Sequence, residues 1–149
     1  MSSVKALESL KKFLDFSIKR GGFDRIFEKT KLISAGDGKC VAEMVVEKQH
    51  TNGFSTLHGG FTASAIDLFS SIAVLTHPKI FEDIDSGVGS GVSVDIHVKY
   101  LASAKIGDEI IINADTTKLG RNLAFLEVTM IRKADNVIIA KGAHTKFVG

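Results

Sequence analysis

The stretch from His58 to Thr76, HGGFTASAIDLFSSIAVLT, decides the fold. It has no breaker after Gly60 and is long enough for a helix. Its apolar residues (Phe61, Ala63, Ala65, Ile66, Leu68, Phe69, Ile72, Ala73, Val74 and Leu75) surround the whole helical wheel. A helix apolar all round is buried centrally or spans a membrane. The interspersed serines and threonines, with Asp67 in the middle, argue against a span. The spacing therefore predicts one buried helix.

Around it the chain supplies a sheet. Upstream, 4–20 has helical spacing in Leu7, Leu10, Phe13, Leu14 and Ile18, ended by Gly21-Gly22, and a helical turn is expected at 23–27. Segments 30–35 and 39–47 read as two strands around the turn Gly36-Asp37-Gly38. From Gly87 onward the pattern is strand-like. Val92 to Tyr100 alternates strictly, with Val92, Val94, Ile96, Val98 and Tyr100 on one face and Ser93, Asp95, His97 and Lys99 on the other. Segments 109–117, 123–132 and 137–147 follow, and the short connections predict an antiparallel meander of these last strands. The expected class is α+β: an antiparallel sheet wrapped around one central helix, in a single domain covering 1–149, with 1–28 as an N-terminal helical extension.

Composition narrows the function classes. With 149 residues the chain builds one core rather than two. Nineteen basic against 17 acidic residues give a net charge of +2, too balanced for a nucleic-acid partner, and no dense basic run occurs. No stable membrane insertion is expected. Cys40 is the sole cysteine, so there is no intramolecular disulfide framework and a reducing intracellular compartment fits best. The histidines show neither HExxH nor paired-ligand spacing, so no metal and no separate cofactor are expected. The N-terminal helix has no uninterrupted apolar core, and Glu8 and Asp15 count against a mitochondrial presequence. The expected location is the cytoplasm, with the mitochondrion kept open as a second one.

Asp67 is the residue that asks for a role. A buried carboxylate must be partnered, solvated by a cleft or neutralised, and a helix interior offers it no free backbone donors. His58-Gly59-Gly60 opens the same helix, where N–H groups point outward, the dipole is positive and glycine admits a close approach. Such a site can receive the oxygen of a carbonyl. Yet Asp67 lies nine residues after His58, about 2.5 turns and about 13 Å along the axis. One helix cannot bring both to one carbon. Two copies packed antiparallel across a two-fold axis can, so the spacing predicts a shared site at a dimer interface. Asn52 reads as a turn residue or a water ligand, Ser93 and Asp95 as a solvated strand face, and 118–122 as a hairpin tip or an anion site.

The combination HTNGFSTLHGGFTASAIDLFSS (50–71), GVSVDIHVKYLASAKIGDEI (91–110) and KLGRNLAFLEVTMIRKADNVIIAKGAHTK (118–146) resembles the hotdog-fold acyl-CoA thioesterases, in the phenylacetyl-CoA thioesterase-like group. The resemblance implies a six-stranded antiparallel sheet around a helix, paired into dimers and then a homotetramer (a dimer of dimers), hydrolysing fatty acyl-CoA without metal. It implies Asp67 as the carboxylate that activates water or attacks the thioester, and Gly59 as the backbone donor to the thioester oxygen. Asn52 and His58 would position water and carbonyl, and Ser93 would orient the water or Asp67. Asp95 would lie near the substrate. CoA contacts would come from Tyr100, Leu101, Ala102, Ser103, Ala104 and Lys105, and from Lys118, Leu119, Gly120, Arg121, Asn122 and Leu123. The segment Thr76 to Gly91 is longer than expected for the group, and Ser103 stands where a proline is usual. The rival readings are a dehydratase or hydratase of acyl thioesters, and a non-catalytic acyl-CoA or lipid carrier that recruits a partner.

Overall fold

The computed structural model describes residues 3–81 and 89–149. Helix α1 (Ser3–Lys19) leads through a 3-10 turn (Phe23–Phe27) into β1 (Lys31–Gly36) and β2 (Lys39–Val45). A 3-10 turn (Lys48–His50) follows, held by the Glu47 N–H donating to His50 Nδ1 at 3.0 Å. Then come α2 (Gly59–Leu75), a short α3 (Pro78–Phe81), and the strands β3 (Val92–Tyr100), β4 (Glu109–Leu119), β5 (Leu123–Arg132) and β6 (Val137–Phe147). Positions 82–88 of the long 76–91 segment lie outside the described residues.

The six strands form one antiparallel sheet in the order β1-β2-β4-β5-β6-β3. The β1–β2 hairpin turns on Asp37-Gly38, both with positive φ (53° and 78°), the twist-matching geometry that an Asp-Gly pair adopts at little cost. The meander is confined to β4, β5 and β6. β3 does not pair with β4 as its sequence neighbour but runs along the far edge on β6. The reason lies in residues 101–108, which cross the end of the sheet and tie to the loop before α2: Leu57 N–H donates to Ala104 O at 2.8 Å and Thr56 bridges Lys105.

The core is the contact of α2 with β2, β3, β4, β5 and β6. Ala65, Ile66, Phe69, Ile72 and Ala73 of the helix are fully buried against Ala42, Ile110, Ile112 and Met130 of the sheet. α2 is thus the central helix its apolar wheel predicts. It packs tightly on the sheet at Gly142, where a Cβ would stand 2.6 Å from Ile66 Cγ2. Only glycine fits there. The sheet's other covering is α1, which seats Leu10 and Leu14 in the same core but leaves Phe13 and Phe16 exposed. Among the described residues no helix is long and apolar enough to cross a membrane.

One expectation about β3 fails. The register slips between Ser93 and Asp95, a β-bulge that reverses the alternation. Ser93 therefore faces the helix, as do Ile96 and Val98, while Val92 and Val94 are exposed. Ser93 and Asp95 do not share a face.

Candidate active site

The N-terminus and the midpoint of α2 carry distinct polar arrangements. At its N-terminus His58 is the capping residue. Its Nδ1 accepts from the Gly60 N–H at 2.8 Å, and its carbonyl accepts from Thr62. Gly59 is the first helical residue, and among the described residues its N–H has no hydrogen-bond partner. Tyr100, at the end of β3, donates its hydroxyl to Gly59 O at 2.9 Å, which fixes the plane of the peptide beside that donor. Asn52 sits nearby as a turn organiser. Its Oδ1 accepts from Phe54 N–H at 2.9 Å and from Thr56 N–H at 3.2 Å, while Nδ2 donates to Thr56 Oγ1. Its side chain is engaged in its own loop.

Two turns further on, Asp67 points away from the core, about half exposed, into a cleft of about 240 Å³ lined by Leu68, Ser71, Ser90, Phe13 and Phe23 among others. The inward face of β6 explains why a carboxylate is tolerated here. It reads Ala140, Gly142, His144 and Lys146, and both basic residues are buried. Ser70 Oγ donates to the Asp67 carbonyl at 3.1 Å, so it accepts from His144 Nδ1–H at 2.7 Å. His144 Nε2 is then an acceptor, and Ser93 Oγ–H donates to it at 2.8 Å. The Asp67 carboxylate lies 3.9 Å from the same nitrogen. Burial, reinforced by Lys146, pushes the His144 imidazolium below the ordinary range against the opposing pull of Asp67 and Asp95. The imidazole is therefore neutral near pH 7, and the 3.9 Å contact is not an ion pair. Ser93 Oγ and the Asp67 carboxylate thus both approach His144 Nε2.

The structure thus brings Asp67 and Ser93 together and holds Gly59, His58, Asn52 and Tyr100 together, but the two groups sit apart on one helix. The residues expected near CoA divide the same way. The turn at 118–123 lies by the start of β3, since Leu123 and Val92 both pair with Phe147, whereas Tyr100 pairs with Ala140. Seven residues of β6 separate the two places, about 23 Å along the strand. Residues 101–105 continue from the Tyr100 end; Ala104 is buried there, and Arg132 donates to Ser103 O at 2.6 Å. Asp95 is exposed on the outer face.

The reading of the sequence missed His144, Lys146, Ser70 and Ser71. A signal existed in GAHTKF: once Gly142 is assigned to the helix-facing side, His144 and Lys146 follow it at period two, which is an improbable pair of residues to bury without a purpose. Cys40 is buried, its thiol pushed up to about 12 by desolvation and donating to Phe69 O, so it is no nucleophile. Among the described residues no cluster of three or more His, Cys, Asp or Glu could hold a metal ion.

Residues 54–139 match the family model described as thioesterase superfamily. The chain is 41% identical to acyl-coenzyme A thioesterase 13 of Mus musculus over 149 residues, covering all of this chain and 99% of that one. It is 39% identical to the Homo sapiens protein of the same name over 142 residues, 95% of this chain and 96% of the relative. The crystal structure of zebra fish thioesterase superfamily member 2 superposes with a TM-score of 0.88 at 41% identity, covering 96% and 98% of the two chains.

Proposed function

The chain belongs to the thioesterase superfamily, and on that premise we propose that it hydrolyses medium- to long-chain fatty acyl-CoA to the free acid and CoA. The single observation that carries the reading is Asp67: a solvent-reaching carboxylate on an otherwise uncharged helix, approaching the same nitrogen of a buried neutral histidine that the Ser93 hydroxyl binds. In this reading Asp67 takes a proton from a water that Ser93 orients, and the water oxygen attacks the thioester carbon. The Gly59 N–H of a second copy receives the developing oxyanion, and the CoA thiolate departs. His58 and Asn52 shape the loop that presents Gly59. Water attack is preferred to attack by Asp67 itself because Ser93 and His144 form an orienting pair that an anhydride route does not need.

The separation of the two polar groups on α2 supports a site completed across a two-fold axis. It also supports distributing the CoA contacts, with residues 100–105 from one copy and residues 118–123 from the other. The assembly proposed is a homotetramer built from such dimers, located in the cytoplasm, with the mitochondrion kept open as a second location. No cofactor besides the CoA of the substrate enters the proposal.

The test is CoA release from a panel of acyl-CoAs by the wild type and Asp67→Asn, followed by thioester absorbance. At least ~100-fold loss of kcat with binding retained supports the reading. A wild type that binds acyl-CoA and releases no CoA overturns it in favour of a carrier. A single turnover in labelled water separates the two roles of Asp67, because label entering its side chain means nucleophilic attack.

A further inference from the structure

Lys146 is 3% exposed, yet it takes no part in the scheme above. Its Nζ donates to Ser71 Oγ and, at 3.2 Å, to Ser90 Oγ. Both acceptors are neutral. A methionine would occupy the same place without the desolvation cost of an ammonium, so the charge calls for an explanation other than packing. The geometry supplies one. Ser71 Oγ donates onward to the Asp67 carbonyl at 2.8 Å, beside the Ser70 hydroxyl that reaches the same oxygen from His144. Two basic residues of β6 thus each grip the Asp67 peptide through a serine. The second arm of Lys146 grips Ser90, three residues before Ser93 in the run leading into β3. Ser71, Ser90 and Asp67 line one cleft.

We propose that Lys146 is a positioning residue: through Ser71 and Ser90 its ammonium sets the spacing between the Asp67 turn of α2 and the entry of β3. The proposal rests on the thioesterase reading of Asp67. Among the described residues, the charged and titratable groups at this pocket are Asp67 from α2, His144 on its own strand and Asp24 on the cleft rim, while Asp95 acts on His144 from the outer face. Burial draws the Lys146 amine below the ordinary lysine range and Asp67 opposes that shift.

Lys146→Met, Lys146→Arg and Ser71→Ala test this with kcat and KM measured on an acyl-CoA from about pH 5 to about pH 9. Lys146→Met is expected to lower kcat about 10-fold or more with KM changed less than about 2-fold. Lys146→Arg should restore part of kcat and not all of it, because a planar guanidinium does not reproduce both serine contacts. A folded Lys146→Met with the kcat of the wild type overturns the proposal, whatever its melting temperature. Should that variant fail to fold, Ser71→Ala decides, since it cuts the link without changing charge: lowered kcat with KM unchanged supports the proposal, and wild-type kcat overturns it. A wild type without hydrolysis removes the thioesterase reading and this inference together. An active wild type with an indifferent Lys146→Met removes this inference alone.

Discussion

The N-terminus of α2 and its midpoint carry different polar groups made of different materials. At the Gly59 end the polar groups are backbone: an unpaired N–H at a helix start, a peptide plane fixed by Tyr100, and a histidine whose ring caps Gly60. At the Asp67 end they are side chains drawn from three elements, α2, β3 and β6, and two of them, His144 and Lys146, are buried bases. On the proposed reading the first arrangement receives negative charge with a donor that cannot titrate. The second handles a proton and is assembled around one carboxylate. On that reading neither place is a complete hydrolytic site by itself. The chain carries the two halves about 12 Å apart, eight residues along a rigid helix.

Removing the carboxylate breaks the comparison most severely. Asp67→Asn is expected to cost at least ~100-fold in kcat with KM little changed, read from steady-state CoA release. At the other end the informative change is Gly59→Pro. Proline at the first helical position keeps the helix, and His58 before it is already extended, at φ −67° and ψ 132°. The N–H is lost, and a Cβ is added 3.4 Å from Tyr100 Cε1. A loss of roughly 100-fold in kcat with unchanged helical circular dichroism is expected if that N–H serves the oxyanion; full activity assigns the donor role elsewhere.

Smaller effects probe what holds the halves in register. Gly142→Ala drives a methyl into Ile66, and a loss of about 1–3 kcal/mol in chemical denaturation is expected. Because Ile66 precedes Asp67, kcat should fall with stability. The smallest effect is in pH. Burial draws His50 and His144 below the ordinary histidine value of 6.5. Across the window between 6.5 and those lowered values the unfolded chain binds more protons than the folded one, so stability rises with pH. This contribution is complete above 6.5 and is lost as pH falls through the folded values. Melting curves should show that slope. NMR should show both imidazoles titrating low.

Legibility in the sequence followed the same division. The central helix, its glycine start and the odd carboxylate were readable because an apolar wheel with one charge has few physical explanations. The hairpin at Asp37-Gly38 was readable from its turn chemistry. The β3 bulge was not, because Val92 and Val94 satisfy strict alternation while the partner strand dictates otherwise. That slip turned Ser93 from an expected solvent-facing residue into the hydroxyl that reaches His144. His144 and Lys146 stayed hidden for a related reason: polar residues in a strand read as its wet side until the register shows them facing the helix.

The shared site is tested most directly by mixing two dead proteins. Asp67→Asn and Gly59→Pro chains, each inactive alone, are unfolded together, refolded at equal amounts and checked for hybrid formation with two different tags. If one copy supplies Asp67 and the other Gly59, each hybrid dimer has one intact site, and about a quarter of wild-type activity returns. If hybrids form and no activity returns, both groups act within a single chain and the two-copy account is wrong.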